Sequence, residues 1–245
     1  TEIIDKKKNK KKVNRNIYIK KKSWSFSQKI APFFDDHITK SVPFYKEFQW
    51  LCCEISDYFI KENSIVYDIG CSTGAFTSKL SHTHKDKKNL KIYGIDIVKD
   101  MISFAKKKNQ KKNISYLLKD INKIKFKKSD FIVSFYTVQF IRQKFRQSLI
   151  NKIYKSLNWG GGFFFVEKVR SYDARTQDMS NEVYKEWKKI MGFSDNEINS
   201  KTKSLKGILD PFSTNGNLEM LKRAGFKDVS IIGKFICFEV ILAIK

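Results

Sequence analysis

The sequence has no long apolar run. Uninterrupted apolar stretches such as 163–166 and 240–244 fall far short of the ~20 residues that a membrane-spanning helix requires. Residues 1–22 are rich in Lys and Asn and contain no apolar core of the kind that a secretion signal needs. With 41% hydrophobic and 14% aromatic residues, the 245-residue chain can nevertheless bury a full-sized core. We therefore expect a folded, soluble protein.

Cysteine is scarce. The four cysteines show neither the spacing of a disulfide framework nor that of a zinc site, and no other metal-ligand set is visible; they are Cys52, Cys53, Cys71 and Cys237. Such usage is typical of a reducing compartment, so we expect a cytoplasmic protein. Three of the cysteines lie in apolar patterns and are expected in the core, whereas Cys71 lies in a glycine-containing turn and is expected to line a ligand site.

Arginine is also scarce, although the chain is strongly basic. The net charge is +24, yet only six of the 49 basic residues are arginine. Such a charge favours a polyanionic partner such as RNA, but phosphate and base recognition favour the bidentate guanidinium that this chain uses so little. We therefore interpret the lysine excess as a solvated surface and expect no direct, specific nucleic-acid partner. Residues 1–22 are predicted to be a disordered basic arm, and 23–245 the folded domain.

The middle of the chain alternates between strand and helix periodicity. Strands are predicted over 64–69, 91–96, 114–118, 131–136 and 162–168, the last after a turn at 160–162, and helices over 74–82, 99–108 and 142–157. Short apolar strands separated by helices indicate a parallel sheet covered on both faces.

The flanking segments complete the predicted architecture. An amphipathic helix is predicted over 46–61, and two polar helices, 181–190 and 195–206, form an inserted cap within 171–209. After a helix over 217–223, the apolar runs 229–232 and 235–244 are separated by Gly233 and Lys234, which is hairpin spacing. The pattern predicts an α/β fold that ends in an antiparallel hairpin.

A glycine-containing turn follows the first strand of the sheet. In the sequence IVYDIGCSTGAF, Asp68 and Gly70 end the strand and Gly74 opens a helix. Gly70 permits a tight turn and a close approach of a ligand to the backbone, and the helix N-terminus offers free amides. The third glycine of a dinucleotide-binding motif is missing, so a smaller nucleoside ligand is favoured over NAD. The alternative is a simple turn between a strand and a helix.

Carboxylates follow the next two strands. Asp96 ends the second strand, where it could accept both hydroxyls of a ribose, and Asp120 with Ile121 follows the third, where the pair could hold an adenine. Either aspartate alone could be a helix cap. Because ligands bind outside the carboxyl ends of such strands, three suitable positions on one edge predict a nucleoside site.

These positions resemble those of the class I S-adenosylmethionine-dependent methyltransferases. Further segments are similar to the carboxy-S-adenosyl-L-methionine synthases: WSFSQKIAPFFDDHITKSVPFY (24–45), YDIGCSTGA (67–75), TVQFI (137–141), LNWGGGFFFVEK (157–168), and the run from GFSDNEI to LKRAGF (192–226). The resemblance covers residues 24–245. It implies a Rossmann-like seven-stranded sheet with an antiparallel C-terminal hairpin, an N-terminal helical lid and an inserted helical cap.

The resemblance also implies a set of ligand-binding residues. The matching positions are Tyr45, which would close over the nucleoside; Gly70, Cys71 and Ser72 along the methionine part; Asp96 and Ile97 at the ribose and adenine edge; and Asp120 and Ile121 at the adenine. Two positions depart from the family. Phe135 stands where the family has asparagine, and Thr202, between Lys201 and Lys203, stands where it has the arginine that pairs with the transferred carboxylate.

The implied activity converts S-adenosyl-L-methionine and prephenate to carboxy-S-adenosyl-L-methionine, phenylpyruvate and water. The product serves carboxymethylation of the wobble uridine (cmo5U) in tRNA, and the enzyme is a homodimer whose cap lies near the neighbour's site. S-adenosyl-L-methionine is a substrate, and no residue is assigned as catalytic. Two alternatives remain open: ordinary methyl transfer to a small molecule or RNA, and a non-catalytic RNA-binding protein on the same fold.

Other chemically capable side chains have more ordinary interpretations. His82 and His84 lie in a lysine-rich polar turn and are expected at the surface, while His37 stays a candidate general base. Four further residues are candidates for lining a substrate pocket: Tyr136, Gln139, Trp159 and Tyr172.

Overall fold

The computed structural model describes residues 30–245, so the predicted basic arm at 1–22 lies outside the described residues. Seven strands form one sheet in the order β3-β2-β1-β4-β5-β7-β6. The strands are β1 (Ile65–Ile69), β2 (Lys91–Asp96), β3 (Ile114–Leu118), β4 (Ser129–Phe135), β5 (Leu157–Lys168), β6 (Asp228–Phe235) and β7 (Phe238–Ile244). The first five are parallel, and β7 is antiparallel to both β5 and β6. The predicted fold is confirmed.

Eight α-helices accompany the sheet within residues 30–245. They are α1 (Ala31–Ser41), α2 (Tyr45–Ser56), α3 (Ala75–Thr83), α4 (Lys99–Lys108), α5 (Gln143–Ser156), α6 (Ala174–Ile190), α7 (Asp195–Leu205) and α8 (Thr214–Ala224), with a 3-10 turn at Val138–Phe140. No helix within this part of the chain is both long and apolar enough to cross a bilayer.

The core lies on both faces of the sheet. Successive side chains of β5 point to opposite faces, so Phe164 joins one buried cluster while Phe163 and Phe165 join the other. All three phenylalanines are completely buried. Helices cover both faces, which explains why this strand is apolar at consecutive positions.

The terminal hairpin turns at a different place from the predicted one. Gly233 and Lys234 lie inside β6, and the two-residue turn is formed by Ile236 and Cys237. Ile236 adopts a positive φ of 52°, and the β6–β7 register shifts between Ile231 and Gly233. Gly233 therefore lies at an irregularity within β6 and not at the end of the strand. The predicted position of the turn was wrong.

A similar correction applies to the glycines before the fifth strand. The predicted turn at 160–162 lies inside β5, which begins at Leu157 and shows a register shift against β4 near Phe131. Gly162 lies where an added Cβ would contact the Phe59 ring at 3.0 Å, so glycine serves close packing at this position.

Helix α6 starts seven residues before the predicted helix over 181–190. The Asp173 side chain caps it by accepting a hydrogen bond from the Thr176 amide at 2.8 Å. The first turns are polar and no residue of the helix is buried. The apolar periodicity on which the prediction relied is therefore weak in this part of the helix.

His84 is buried, contrary to the prediction, with 2% of its surface exposed, while His82 is exposed as predicted. The Ser56 hydroxyl lies 2.7 Å from Nε2 of His84, and the Asp57 carboxylate lies 3.6 Å from Nδ1. Burial lowers the pKa of His84. The group resembles a hydrolase triad, but Ser56 is completely buried and its hydroxyl donates to the Cys53 carbonyl. Its role is to join the ends of α2 and α3.

Candidate functional site

One cavity brings all ten predicted ligand-binding residues together. It measures about 1110 Å³ and lies at the carboxyl edge of the parallel strands, between α1, α6 and α7. Its lining includes Tyr45, Gly70, Cys71, Ser72, Asp96, Ile97, Asp120, Ile121, Phe135 and Thr202. Small-molecule sites usually measure ~300–1,000 Å³. This cavity therefore has room for a nucleoside and a second small molecule.

The turn after β1 is fixed by close packing. Gly70 has a φ of +77°, and a Cβ added to it would lie 2.0 Å from Oγ1 of Thr137. The Gly70 and Cys71 amides both donate to the Ile95 carbonyl, at 2.8 and 3.0 Å. Only glycine fits at position 70, because the β1 turn and the β4 turn meet there.

The Asp96 carboxylate connects the turns after β1 and β2. One of its oxygens accepts the Ser72 amide at 2.9 Å and the other accepts the Val98 amide at 2.8 Å. Burial raises the pKa of Asp96, and the amides oppose that shift. A carboxylate offers about four lone-pair positions, so Asp96 retains capacity to accept a ligand's hydroxyl group. Ile97, beside it, is 67% exposed and offers an apolar surface.

Asp120 and Ile121 lie at the next strand end. One Asp120 oxygen accepts hydrogen bonds from the Asn122 amide at 2.9 Å and from the Asn122 side chain at 3.0 Å. Asp120 therefore stabilises a turn and does not cap a helix, contrary to the alternative interpretation, and it lines the cavity as well. Ile121 is buried beneath it.

Two further aspartates in the cavity were not among the predicted ligand-binding residues. Asp35 of α1 accepts a hydrogen bond from the Thr73 hydroxyl at 2.7 Å, and Asp68 accepts one from the Thr77 hydroxyl at 2.5 Å. Burial raises the pKa of Asp68 to about 7. The glycine motif pointed to Asp68, but no local pattern marks Asp35. With Asp96 and Asp120, they make this half of the cavity acidic.

Aromatic side chains form the wall between this acidic half and the cap. Tyr45 stacks on Tyr136 with ring centroids 6.2 Å apart. Phe135 packs edge-on against Phe76 at 4.7 Å and also contacts the Tyr136 ring at 6.2 Å. The phenylalanine at 135 thus extends the core into the cavity at the position where an amide is expected.

The cap end of the cavity is basic. Lysines from three elements line it: Lys168 at the end of β5, Lys188 of α6, and Lys201 of α7. Thr202 is exposed, and its hydroxyl donates to the Ile198 carbonyl at 2.8 Å. Lys168 could have been identified from the sequence, because it ends a predicted strand and ligands bind outside the carboxyl ends of such strands. Nothing local distinguishes Lys188 in a lysine-rich helix.

The remaining candidates divide into two groups. Tyr136 and Gln139 line the cavity, but Trp159 and Tyr172 are 88% and 90% exposed and do not, so that prediction was half wrong. His37 lines the cavity with Nε2 2.6 Å from the Lys201 ammonium, and burial lowers its pKa to about 3. The ring is therefore neutral at pH 7.

A buried glutamate holds the turn that carries Gln139. The Glu167 carboxylate accepts three backbone hydrogen bonds from residues 137–139, at 2.7 to 3.1 Å. Burial raises its pKa to about 8 despite those amides. The side chain supports the site from below and does not line the cavity itself.

Comparisons with known proteins agree with this geometry. Residues 60–225 match the family described as "Methyltransferase domain". The chain is 34% identical to the carboxy-S-adenosyl-L-methionine synthase of Campylobacter lari, over 91% of this chain and 95% of that protein. It is 36% identical to the protein of that name from Staphylococcus epidermidis, over 91% of this chain and 97% of the relative.

Solved structures share the fold. Human N-acetylserotonin methyltransferase, in complex with SAM, superposes with a TM-score of 0.59 at 17% identity, over 89% of this chain and 56% of that one. A SAM-dependent methyltransferase from Aquifex aeolicus gives a TM-score of 0.57 at 17% identity, over 90% of this chain and 99% of that one.

The raised pKa of Asp68 predicts a pH effect on stability. Because folding raises this pKa from 3.8 to about 7, the ionised carboxylate destabilises the folded state, and that cost grows as pH rises through this range. The free energy of unfolding of Asp68→Asn, taken relative to that of the wild type, should therefore be higher at pH 8 than at pH 5 by roughly 2–3 kcal/mol. Urea denaturation at the two pH values measures this difference.

The matched control is Asp36→Asn, at an exposed aspartate ion-paired with Lys40. The difference in unfolding free energy between Asp36→Asn and the wild type should change by less than about 0.5 kcal/mol from pH 5 to pH 8. If Asp68→Asn behaved like this control, Asp68 would be ionised at both pH values.

Proposed function

Because the chain belongs to the carboxy-S-adenosyl-L-methionine synthase family, within the methyltransferase domain family, we propose that it converts S-adenosyl-L-methionine and prephenate to carboxy-S-adenosyl-L-methionine, phenylpyruvate and water. The product would supply carboxymethylation of the tRNA wobble uridine. The observation that carries this proposal is the division of one cavity into an acidic half at the strand ends and a basic half under the cap.

The acidic half suits S-adenosyl-L-methionine. That molecule offers hydrogen-bond donors at its ribose hydroxyls, adenine amine and ammonium group, and carboxylates are their natural acceptors. We assign the ribose to Asp96, the adenine to Asp120 and Ile121, and the methionine part to the turn from Gly70 to Ser72. Tyr45 would close over the nucleoside.

The basic half suits a dicarboxylate such as prephenate. In the proposed reaction prephenate loses carbon dioxide and its ring hydroxyl as it becomes phenylpyruvate. The positive sulfonium of S-adenosyl-L-methionine acidifies the adjacent methyl group, whose carbon bonds to the carbon dioxide. The methyl proton and the departing hydroxide form water, so the atoms balance. The protein's part is to hold the two reactants together and to balance their charges.

A second candidate is ordinary methyl transfer, and two observations favour it. Phe135 and Thr202 stand where the family has an amide and a guanidinium, and the Thr202 hydroxyl already donates to a backbone carbonyl. The two activities differ in their products. Methyl transfer leaves S-adenosylhomocysteine, whereas carboxylation adds carbon dioxide to the nucleoside and forms none.

We further propose that the protein is a homodimer that pairs through its cap. Helix α6 has no buried residue, and Met179, Val183 and Ile190 lie on one stripe of it, exposed by 55%, 55% and 74%. An exposed apolar stripe is typical of an interface, and an isologous interface would place each cap near its neighbour.

Val183→Asp should convert that dimer to a monomer, because it places a charge within the apolar stripe. Sedimentation velocity measures the change. Asp178→Asn, at an exposed position of α6 outside the apolar stripe, should leave the dimer intact. A wild-type protein that sediments as a monomer at every concentration would refute the proposal.

Incubation with both substrates, followed by mass spectrometry, tests the activity. We expect a nucleoside heavier than S-adenosyl-L-methionine by one carbon dioxide, formed only when prephenate is present. Omitting prephenate is the control. S-adenosylhomocysteine without the heavier nucleoside would favour methyl transfer instead.

Asp96→Ala should weaken S-adenosyl-L-methionine binding by roughly tenfold or more, because a charge-assisted hydrogen bond contributes ~1.5–3 kcal/mol. Isothermal titration calorimetry measures the affinity, and circular dichroism checks that the variant is folded. Asp100→Ala, in the first turn of α4 and outside the cavity lining, is the matched control. Unchanged affinity in Asp96→Ala would remove the ribose assignment.

A further inference from the structure

Three lysine side chains converge at the cap end of the cavity although their elements are far apart in sequence. Lys168 is the last residue of β5, Lys188 lies near the end of α6, and Lys201 lies in α7. Each of them lines the cavity. Only the folding of the cap over the sheet brings the three together.

Tyr184 and Ser41 hold these lysines in place. The Lys188 and Lys168 ammonium groups lie 3.9 and 4.8 Å from the centroid of the Tyr184 ring. The Tyr184 hydroxyl donates to the Ser41 carbonyl at 2.6 Å, and the Lys201 ammonium lies 3.3 Å from the Ser41 hydroxyl. One tyrosine and one serine therefore position all three lysines.

Two of the three lysines have no carboxylate beside them in the part of the chain that the structure describes. Among residues 30–245, neither Lys168 nor Lys188 has an acidic side chain within ion-pair distance. Burial, and then the neighbouring lysines, lower the pKa of Lys188 to about 8 and that of Lys201 to about 7. Like charges gathered in a partly buried place are unfavourable unless an anion binds among them.

The geometry points to a carboxylate-binding site formed by Lys168, Lys188 and Lys201, which holds the two carboxylates of the second substrate in place of a guanidinium at position 202. This inference rests on the proposed function and extends it to named residues. A single guanidinium binds one carboxylate through two parallel hydrogen bonds. Three point charges from three elements can contact two carboxylates at once.

Charge-removing variants test the site. Lys188→Met and Lys201→Met keep the aliphatic stem and remove the ammonium group. We expect each to weaken prephenate binding at least tenfold while changing S-adenosyl-L-methionine affinity less than twofold. Calorimetric titration of prephenate into protein saturated with S-adenosylhomocysteine measures binding without turnover.

Lys189→Met is the matched control. Lys189 neighbours Lys188 in α6, but its ammonium pairs with Glu186 and Asp195 and it does not line the cavity. Prephenate affinity should be unchanged in this variant. Lys201→Arg, which keeps the charge, should restore most of the binding that Lys201→Met loses.

The pH dependence of binding gives an independent readout. Wild-type prephenate affinity should fall as pH rises from 6.5 to 9, because Lys201 and Lys188 lose their protons in that range. Lys201→Arg should remove the part of this dependence that lies near pH 7 and leave the part that Lys188 causes near pH 8. The charged or titratable groups beside the two lysines include His37 of α1, Lys168 of β5, Tyr184 of α6 and Cys237 of the β6–β7 turn. Asp36 and Lys40 of α1 lie beside His37.

The outcomes separate this site from the proposed activity. If the wild type forms the carboxylated product but both methionine variants bind prephenate normally, the lysine site is wrong and the activity stands. If no product forms but prephenate binding depends on the lysines, the activity is wrong and the anion site stands. Failure of the wild type to bind prephenate at all would overturn the lysine site directly.

Discussion

The Asp96 carboxylate is the contact on which the site depends. It accepts one amide from the turn after β1 and one from the turn after β2, and so adds to the hydrogen bonds by which the Gly70 and Cys71 amides already join the first turn to β2. Charge-assisted hydrogen bonds of this kind contribute ~1.5–3 kcal/mol each. Ser72, which donates one of them, has a positive φ of 51° and lies two residues before Gly74, the N-cap of α3. The same carboxylate retains capacity to accept a hydrogen bond from a ligand. One side chain therefore connects the two turns and can also bind the ligand.

The acidic and the basic side chains of the cavity come mainly from different parts of the fold. The aspartates of the cavity lie mainly at the ends of the parallel strands. Two of its three clustered lysines come from the cap, whose helix α6 has no buried residue. The cap meets the lid through contacts that include those of Tyr184 with Ser41 and of Lys201 with His37.

Much of this arrangement follows from local pattern. The bounds of β2, α4 and β3 match those predicted, because each is a short segment with one clear period between polar turns. The strand-end residues Asp96 and Asp120 could be identified because parallel strands place their carboxyl ends on one edge. The hairpin turn could not, since Gly233 marks an irregular strand pairing that only the partner strand reveals.

The sequence by itself therefore determined the elements of the sheet, their order along the chain, and the strand-end residues Asp96 and Asp120, since each follows from a local pattern. The tertiary structure alone decided the rest. It buried His84 against Ser56, brought Asp35 to Thr73, and gathered the cap lysines around Tyr184. In a chain with 49 basic residues no local signal separates a lysine in a cavity from one in water. The difference lies in desolvation and in neighbouring charges, and both arise only when distant segments pack together.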